Sequence, residues 1–259
     1  MVPRSRLAAA IVASAAIICS CRSTTAPAAI DPALASCVTS GAVLLAGLNL
    51  DRLRASPLYS KLTPAAAMAI EPLRNASSLL VAWDGKQAVF AARGKFREAP
   101  AGATLIDSNL AISGPAEALR SAIAQHKTGI TGAPDLIRHA AAIAGVGEIW
   151  AAVRGGVTLP LTGNAANLNR LLHLVDYATL TAKLEPRVDL DLTGASRTAD
   201  QGQHLEETLR AIVSLAEAAQ PRLEPLLRSV EIRREGPTVH ATLSTDADTL
   251  GRVIDGLTH

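Results

Sequence analysis

The chain has 259 residues, 49% of them apolar and only 2% aromatic, with 25 Lys and Arg against 23 Asp and Glu for a formal charge of +2. A chain this close to neutral, with two each of Trp, Tyr and Phe, lacks both the positive field and the stacking faces that nucleic-acid binding uses. The same shortage of flat rings argues against a sugar-binding platform, and three cysteines are too few for a disulfide scaffold.

The N-terminus carries Arg4 and Arg6 and no acid, followed by the apolar run Leu7 to Ile18 ("LAAAIVASAAII"), broken only by Ser14. This is a charged n-region and an apolar h-region of signal-peptide length. It is short of the roughly 20 apolar residues that a membrane-spanning helix needs. The run ends in Ile18-Cys19-Ser20-Cys21. That order resembles the lipobox of bacterial lipoproteins: an aliphatic residue, a small or medium residue, a small residue, then Cys. Cys19 departs slightly from the usual Ala, Ser or Thr at the second place. The resemblance implies cleavage before Cys21, loss of residues 1–20 with Cys19 among them, and acylation of Cys21. Each buried CH₂ of such an anchor contributes about 0.8 kcal/mol, and several chains hold a protein stably. Arg22 stands where inner-membrane lipoproteins carry Asp, which leans towards the outer membrane. The expected location is therefore the bacterial cell envelope, lipid-anchored and facing the periplasm. Without Arg4 and Arg6 the formal charge falls to zero, so the pI near 8.6 belongs largely to the leader.

Residues 21–35 are Thr-, Ala- and Pro-rich and read as the lipidated Cys and a flexible tether. The body then divides into residues 36–128 and 129–259. "SGAVLLAGLNL" is a buried strand bounded by Gly. From Asp51, a candidate N-cap, Pro57, Pro64 and Pro72 break the chain into short helices. "SLLVAWDGKQAVFAARG" is a hairpin turning at Asp84-Gly85. "ATLIDSNLAISG" adds a strand or two, and "SGPAEALRSAIAQH" is a helix with Ser113 or Gly114 as cap and Pro115 in its first turn.

The second half repeats this order. "DLIRHAAAIAG" reads as a helix, "EIWAAVRGG" as a strand and "NAANLNRLLHLV" as a helix after a loop. "DYATLTAKLEPRVDLDLTGAS" is a hairpin about Glu185-Pro186. The longest helix is "TADQGQHLEETLRAIVSLAEAAQ", with Leu205, Leu209, Ile212, Val213, Leu215 and Ala216 on one face. A last hairpin turns at Glu235-Gly236, and a closing helix has Thr245 and Asp248 at capping-box spacing.

Hairpins backed by helices imply an α+β fold of antiparallel sheets. The order strand, helix, hairpin, helix in both halves points to a ferredoxin-like duplication. The body also resembles Ala-rich α+β envelope proteins of high-GC bacteria, through "GLNLDRLRASPLYSKL" and "IWAAVRGG"; this likeness implies a fold and carries over no activity.

Chemical motifs are sparse. None of the six histidines is paired at metal spacing, and no C-x-x-C occurs, so no metal or other cofactor is expected. Asp189 and Asp191 alternate with Val188, Leu190 and Leu192, which puts the acids on a wet strand face. No nucleophile elbow or phosphate loop is present. Cys37, with Cys21 acylated, reads as a small buried thiol without a partner. The loop "RGGVTLPLTGNAANLNRLL" brings Val157, Leu159 and Leu161 between glycines. With Tyr59 in "LRASPLYSKL", these residues either cover a core edge or contact a protein partner in the envelope. The expected function is a membrane-tethered, non-catalytic binding or assembly module. A carrier of an apolar ligand such as lipid, and a hydrolase with a site assembled from scattered Ser, His and Asp, are the alternatives.

Overall fold

Ten strands form one continuous sheet in the order β4-β5-β3-β2-β1-β6-β7-β8-β10-β9, with every neighbouring pair antiparallel. The structure is a computed structural model and describes residues 30–57, 59, 71–159, 168–220 and 223–250. The leader, Cys21 and Leu161 lie outside these residues.

The chain enters the fold earlier than the expected tether boundary at residue 35. Ile30 and Leu34 are buried. Helix α1 (Pro32–Ala35) starts under an Asp31 cap, whose carboxylate accepts from Ala33 N–H at 2.8 Å. Strand β1 (Leu44–Asn49) and helix α2 (Leu50–Ala55) follow, with Asn49 accepting from Arg52 N–H as N-cap. A single 3₁₀ turn at Glu71–Leu73 leads into β2 (Ala76–Trp83) and β3 (Ala88–Gly94). Their turn is built by Asp84, whose carboxylate accepts from Lys86 N–H and Gln87 N–H at 2.8 and 2.7 Å. Gly85 takes φ +99° there, a conformation that side chains disfavour. After β4 (Thr104–Asp107) and β5 (Leu110–Ser113) comes α3 (Ala116–His126). Pro115 holds its N-cap place with no side-chain cap, so neither Ser113 nor Gly114 has the expected role.

Helix α4 (Pro134–Ala141) precedes β6 (Ile149–Arg154). Helix α5 (Leu168–Leu172) leads into the hairpin β7 (Tyr177–Leu184) and β8 (Arg187–Ala195). Helix α6 (Ala199–Ala219) is capped by Thr198, and α7 (Glu224–Leu227), β9 (Val230–Glu235) and β10 (Thr238–Asp246) follow. The final cap is Asp246, which accepts from Thr249 N–H at 2.7 Å, and not the expected Thr245.

The two halves repeat: a central strand (β1 or β6), a helical crossing, a hairpin outward, then a second hairpin whose later strand lies inward. Each half takes the strand arrangement 1-2-3-5-4 in place of the ferredoxin-like order expected, because its strands are joined as hairpins and none pairs parallel, and β1 against β6 joins the halves into one sheet. Two rows of directly opposed residues cross it. On one face run Ile112, Ala91, Leu80, Gly47, Trp150, Thr181, Asp191, Thr242 and Glu231. This row is apolar as far as Trp150 and polar beyond it. Helices α1, α3 and α4 cover the apolar part in one core cluster with Leu45, Leu80, Ile112, Leu136 and Trp150. The polar part is the solvated face that antiparallel sheets commonly keep, and Asp189 and Asp191 stand exposed on it as the alternation predicts.

The opposite face carries Phe90, Val81, Ala46, Ala151, Leu180, Leu192, Ala241 and Ile232 in a row, apolar throughout. Eight strands at about 4.8 Å spacing make this row about 33 Å long. One flank is covered by α2 with Leu50, Leu53 and Phe96. The other is covered by α5 and α6 through Leu171, Leu172, Leu205 and Leu209.

Candidate ligand cavity

Between α5, α6 and the apolar face lies a cavity of about 260 Å³. Its floor is Leu44, Ala151, Leu180 and Leu192, its roof Leu205 and Leu209, and its lip Leu168. Among the described residues that line it there is no charged side chain and no aromatic ring. Leu168 is 42% exposed, so the cavity meets solvent at α5.

Local sequence explains the opening. The β7–β8 hairpin turns Leu180, Ala182 and Leu184 with Leu192, Leu190 and Val188 towards one face, each pairing directly across the strands. The backbone there is smoothed by Gly194, which lies under Leu205 and Val175 and lets α6 approach the sheet. Helix α6 seats Leu205 and Leu209, but Ile212 and Val213 are only half-buried. Leu215, expected on the same apolar face, is 64% exposed. The helix therefore covers the sheet with its first half only. It is held at the sheet edge by Arg210, which donates to the Ile232 carbonyl at 2.7 Å, and by Glu206, which pairs with Arg210 and Arg234 at 2.9 and 3.1 Å. The Arg210 hydrogen bond leads the interactions that keep the Glu206 carboxyl below its usual range, against an opposing desolvation effect, and Arg234 adds to it.

The residues singled out from sequence fall into place unevenly. Val157 and Leu159 pack half-buried against the cluster under α6, and Leu159 lines the cavity. The side-chain amide of Asn169 clamps Leu159, accepting from its N–H at 2.8 Å and donating to its carbonyl at 3.1 Å. Tyr59 is on the other flank, against the α2 cluster. The structure thus packs Val157 and Leu159 against one cluster, with Leu159 alone in the cavity wall, and keeps Tyr59 apart from them. The floor residues Leu44, Ala151, Leu180 and Leu192 were not singled out from sequence. Their signal was the apolar alternation of each strand, which marks a face but not the part of it left uncovered.

Among the described residues, hydroxyls and imidazoles meet in two places. Ser36 Oγ lies 2.7 Å from His126 Nδ1, but it also donates to the Ala33 carbonyl and Ser36 is 4% exposed. A hydroxyl held this way cannot meet a substrate. Thr193 links His240 and Asp191 at 3.0 and 3.2 Å on the wet face. Cys37 is 2% exposed, and burial pushes its thiol up to about 11, far from the reactive thiolate range. Among the described residues, no group of three or more His, Cys, Asp or Glu is placed to hold a metal. No described helix is long and apolar enough to cross a membrane.

The class defined by this architecture is an α+β protein with one ten-stranded antiparallel sheet. The chain is similar in fold to TP0453: in that protein's crystal form III the TM-score is 0.55 at 12% identity, covering 88% of this chain and 99% of that one. Crystal forms IV and I of TP0453 give TM-scores of 0.49 and 0.48. No protein-family model and no curated protein matches the sequence.

Proposed function

We propose that this chain is a membrane-tethered, non-catalytic lipoprotein of the bacterial envelope, acylated at Cys21, and that it works as a binding module for an aliphatic ligand. The cavity beneath α5 and α6 carries this reading. A wall of Leu, Val and Ala offers dispersion contacts and no hydrogen bonds, so it favours a flexible hydrocarbon over a polar or aromatic ligand. A 260 Å³ space takes on the order of eight methylene-sized units, judged by the roughly 30 Å³ that a water occupies in the liquid. At about 0.8 kcal/mol per buried CH₂ the gross gain is about 6 kcal/mol, before the cost of ordering the ligand. The polar end of such a ligand stays outside, because nothing in the described wall would satisfy it.

The leader, the lipobox and the absence of a catalytic motif support the tethered, non-catalytic part of the reading. A fluorescent fatty acid titrated into the chain tests the ligand. The expected result is saturable binding, lost at least tenfold in Ala151→Trp, whose indole fills the floor, with the far-ultraviolet circular dichroism unchanged. Non-saturable binding, or equal binding by the variant, contradicts it. Intact mass and fractionation of the wild type and Cys21→Ser test the anchor separately: the wild type should carry a lipid mass on Cys21 and the variant should leave the membrane.

A further inference from the structure

On the flank away from the cavity, a depression of about 470 Å³ is lined by Arg54, Arg74, Arg93 and Lys95, with Asp51 as the one acid among its described residues. Its cations are not equally engaged. Arg54 is committed to the carbonyls of Ala76 and Leu73, at 2.8 and 2.6 Å, and to Asp51 at 3.2 Å. Arg93 holds Asp31 at 3.2 Å. Arg74 meets Glu71 at 3.4 Å, with both side chains mostly in solvent. Among the described residues, the Lys95 ammonium and the side-chain amides of Asn75 and Asn109 have no hydrogen bond or ion pair. The depression thus gathers a lysine, a loosely held arginine and two carboxamides, all with donors to spare. An anion with several acceptor oxygens, such as a phosphate ester, satisfies such a set through charge-assisted hydrogen bonds.

The second observation is where the chain enters the body. Asp31, which Arg93 holds at this rim, is ten residues after Cys21. The intervening chain spans at most about 35 Å when fully extended. If Cys21 carries the lipid, the rim is held within that distance of the bilayer, and the phosphates nearest to it belong to lipid headgroups.

We propose that this depression binds the phosphate of anionic phospholipid headgroups in the membrane to which the chain is tethered, and so fixes the orientation of the body on it. This rests on the reading of Cys21 as the anchor, which the intact mass tests independently. The headgroup site is tested without the anchor, using the full chain with Cys21→Ser and co-sedimentation with vesicles. Phosphatidylcholine vesicles containing phosphatidylglycerol should bind it more tightly than phosphatidylcholine alone, and added salt should weaken the difference. Each basic group near an anionic surface contributes a factor of about five, so Arg74→Gln with Lys95→Gln should lower the partition about 25-fold. A charge-matched pair at the far edge, Arg187→Gln with Arg233→Gln, should leave it within about twofold, since those groups sit well beyond a Debye length of about 8 Å from the docked rim. The leader contributes equally to every variant. Equal loss from both pairs would show diffuse charge and overturn the site, as would indifference to phosphatidylglycerol. Inorganic phosphate that shifts the Asn75 and Asn109 amide resonances, without vesicle binding, would overturn the membrane assignment.

Discussion

Gly47 shows how closely single residues fix this fold. A Cβ placed there would lie 2.1 Å from the Trp150 ring, because the indole covers the glycine across the β1–β6 seam. Gly47→Ala must push a buried ring aside, and overpacking of this kind costs about 1–3 kcal/mol. Urea denaturation should show a loss in that range, while Gly85→Asn, in a turn where an added Cβ meets nothing within 4 Å, should cost under about 1 kcal/mol, since Asn tolerates positive φ. Cys37 makes a pH prediction. Its thiol is pushed up to about 11 in the folded chain from 9.0, so between these values the unfolded chain has lost a proton that the folded chain keeps. Stability therefore falls as pH rises through that window and is unaffected by this group below it. The expected outcome is a fall in denaturation midpoint between pH 9 and 11 that is smaller in Cys37→Ala.

At the scale of elements, two devices hold the covering helices. Helix α2 is latched to the second half by Arg52, which pairs at 2.7 Å with Glu148, itself 3% exposed. The other Glu148 oxygen accepts from Leu184 N–H at 2.6 Å. Glu148→Leu leaves that N–H without its partner, a loss of about 1–3 kcal/mol. Arg52→Ala strands the buried carboxylate and should cost at least as much. Helix α6 gives a sharper contrast. Leu209→Ala removes a buried side chain and should cost about 2–4 kcal/mol. Leu215→Ala, at a position 64% exposed, should change stability by less than about 0.5 kcal/mol. Comparable losses at the two positions in thermal unfolding would show that the second half of α6 is also seated on a surface.

Helical periodicity could not separate Leu209 from Leu215, because it reports which side of a helix is apolar and not how far the sheet beneath it extends. Hairpins were legible for a related reason: the Asp84-Gly85 and Glu235-Gly236 turns and the β-branched and apolar alternation around them are local signals. Caps failed where the chain offered several adjacent candidates, as at Thr245 and Asp246. The burial of Ile30 and Leu34 was hidden because they gain it from α3, α4 and the distant strands.

Over the whole molecule, the row from Ile112 to Glu231 changes from apolar to polar at Trp150, while the row from Phe90 to Ile232 stays apolar. One sheet therefore has helices on both faces at one end and on a single face at the other. The change was present in the sequence, where Val188, Leu190 and Leu192 alternate with acids and Leu79, Leu80 and Val81 do not alternate. The cavity was not, because its walls come together from residues as far apart in the chain as Leu44 and Val239, under α5 and α6. Native mass spectrometry of the chain purified from bacterial envelopes shows directly whether that cavity is filled. A bound aliphatic species is expected on the wild type and missing from Ala151→Trp. A wild type that flies without ligand, and takes up none when mixed with fatty acid, would contradict it.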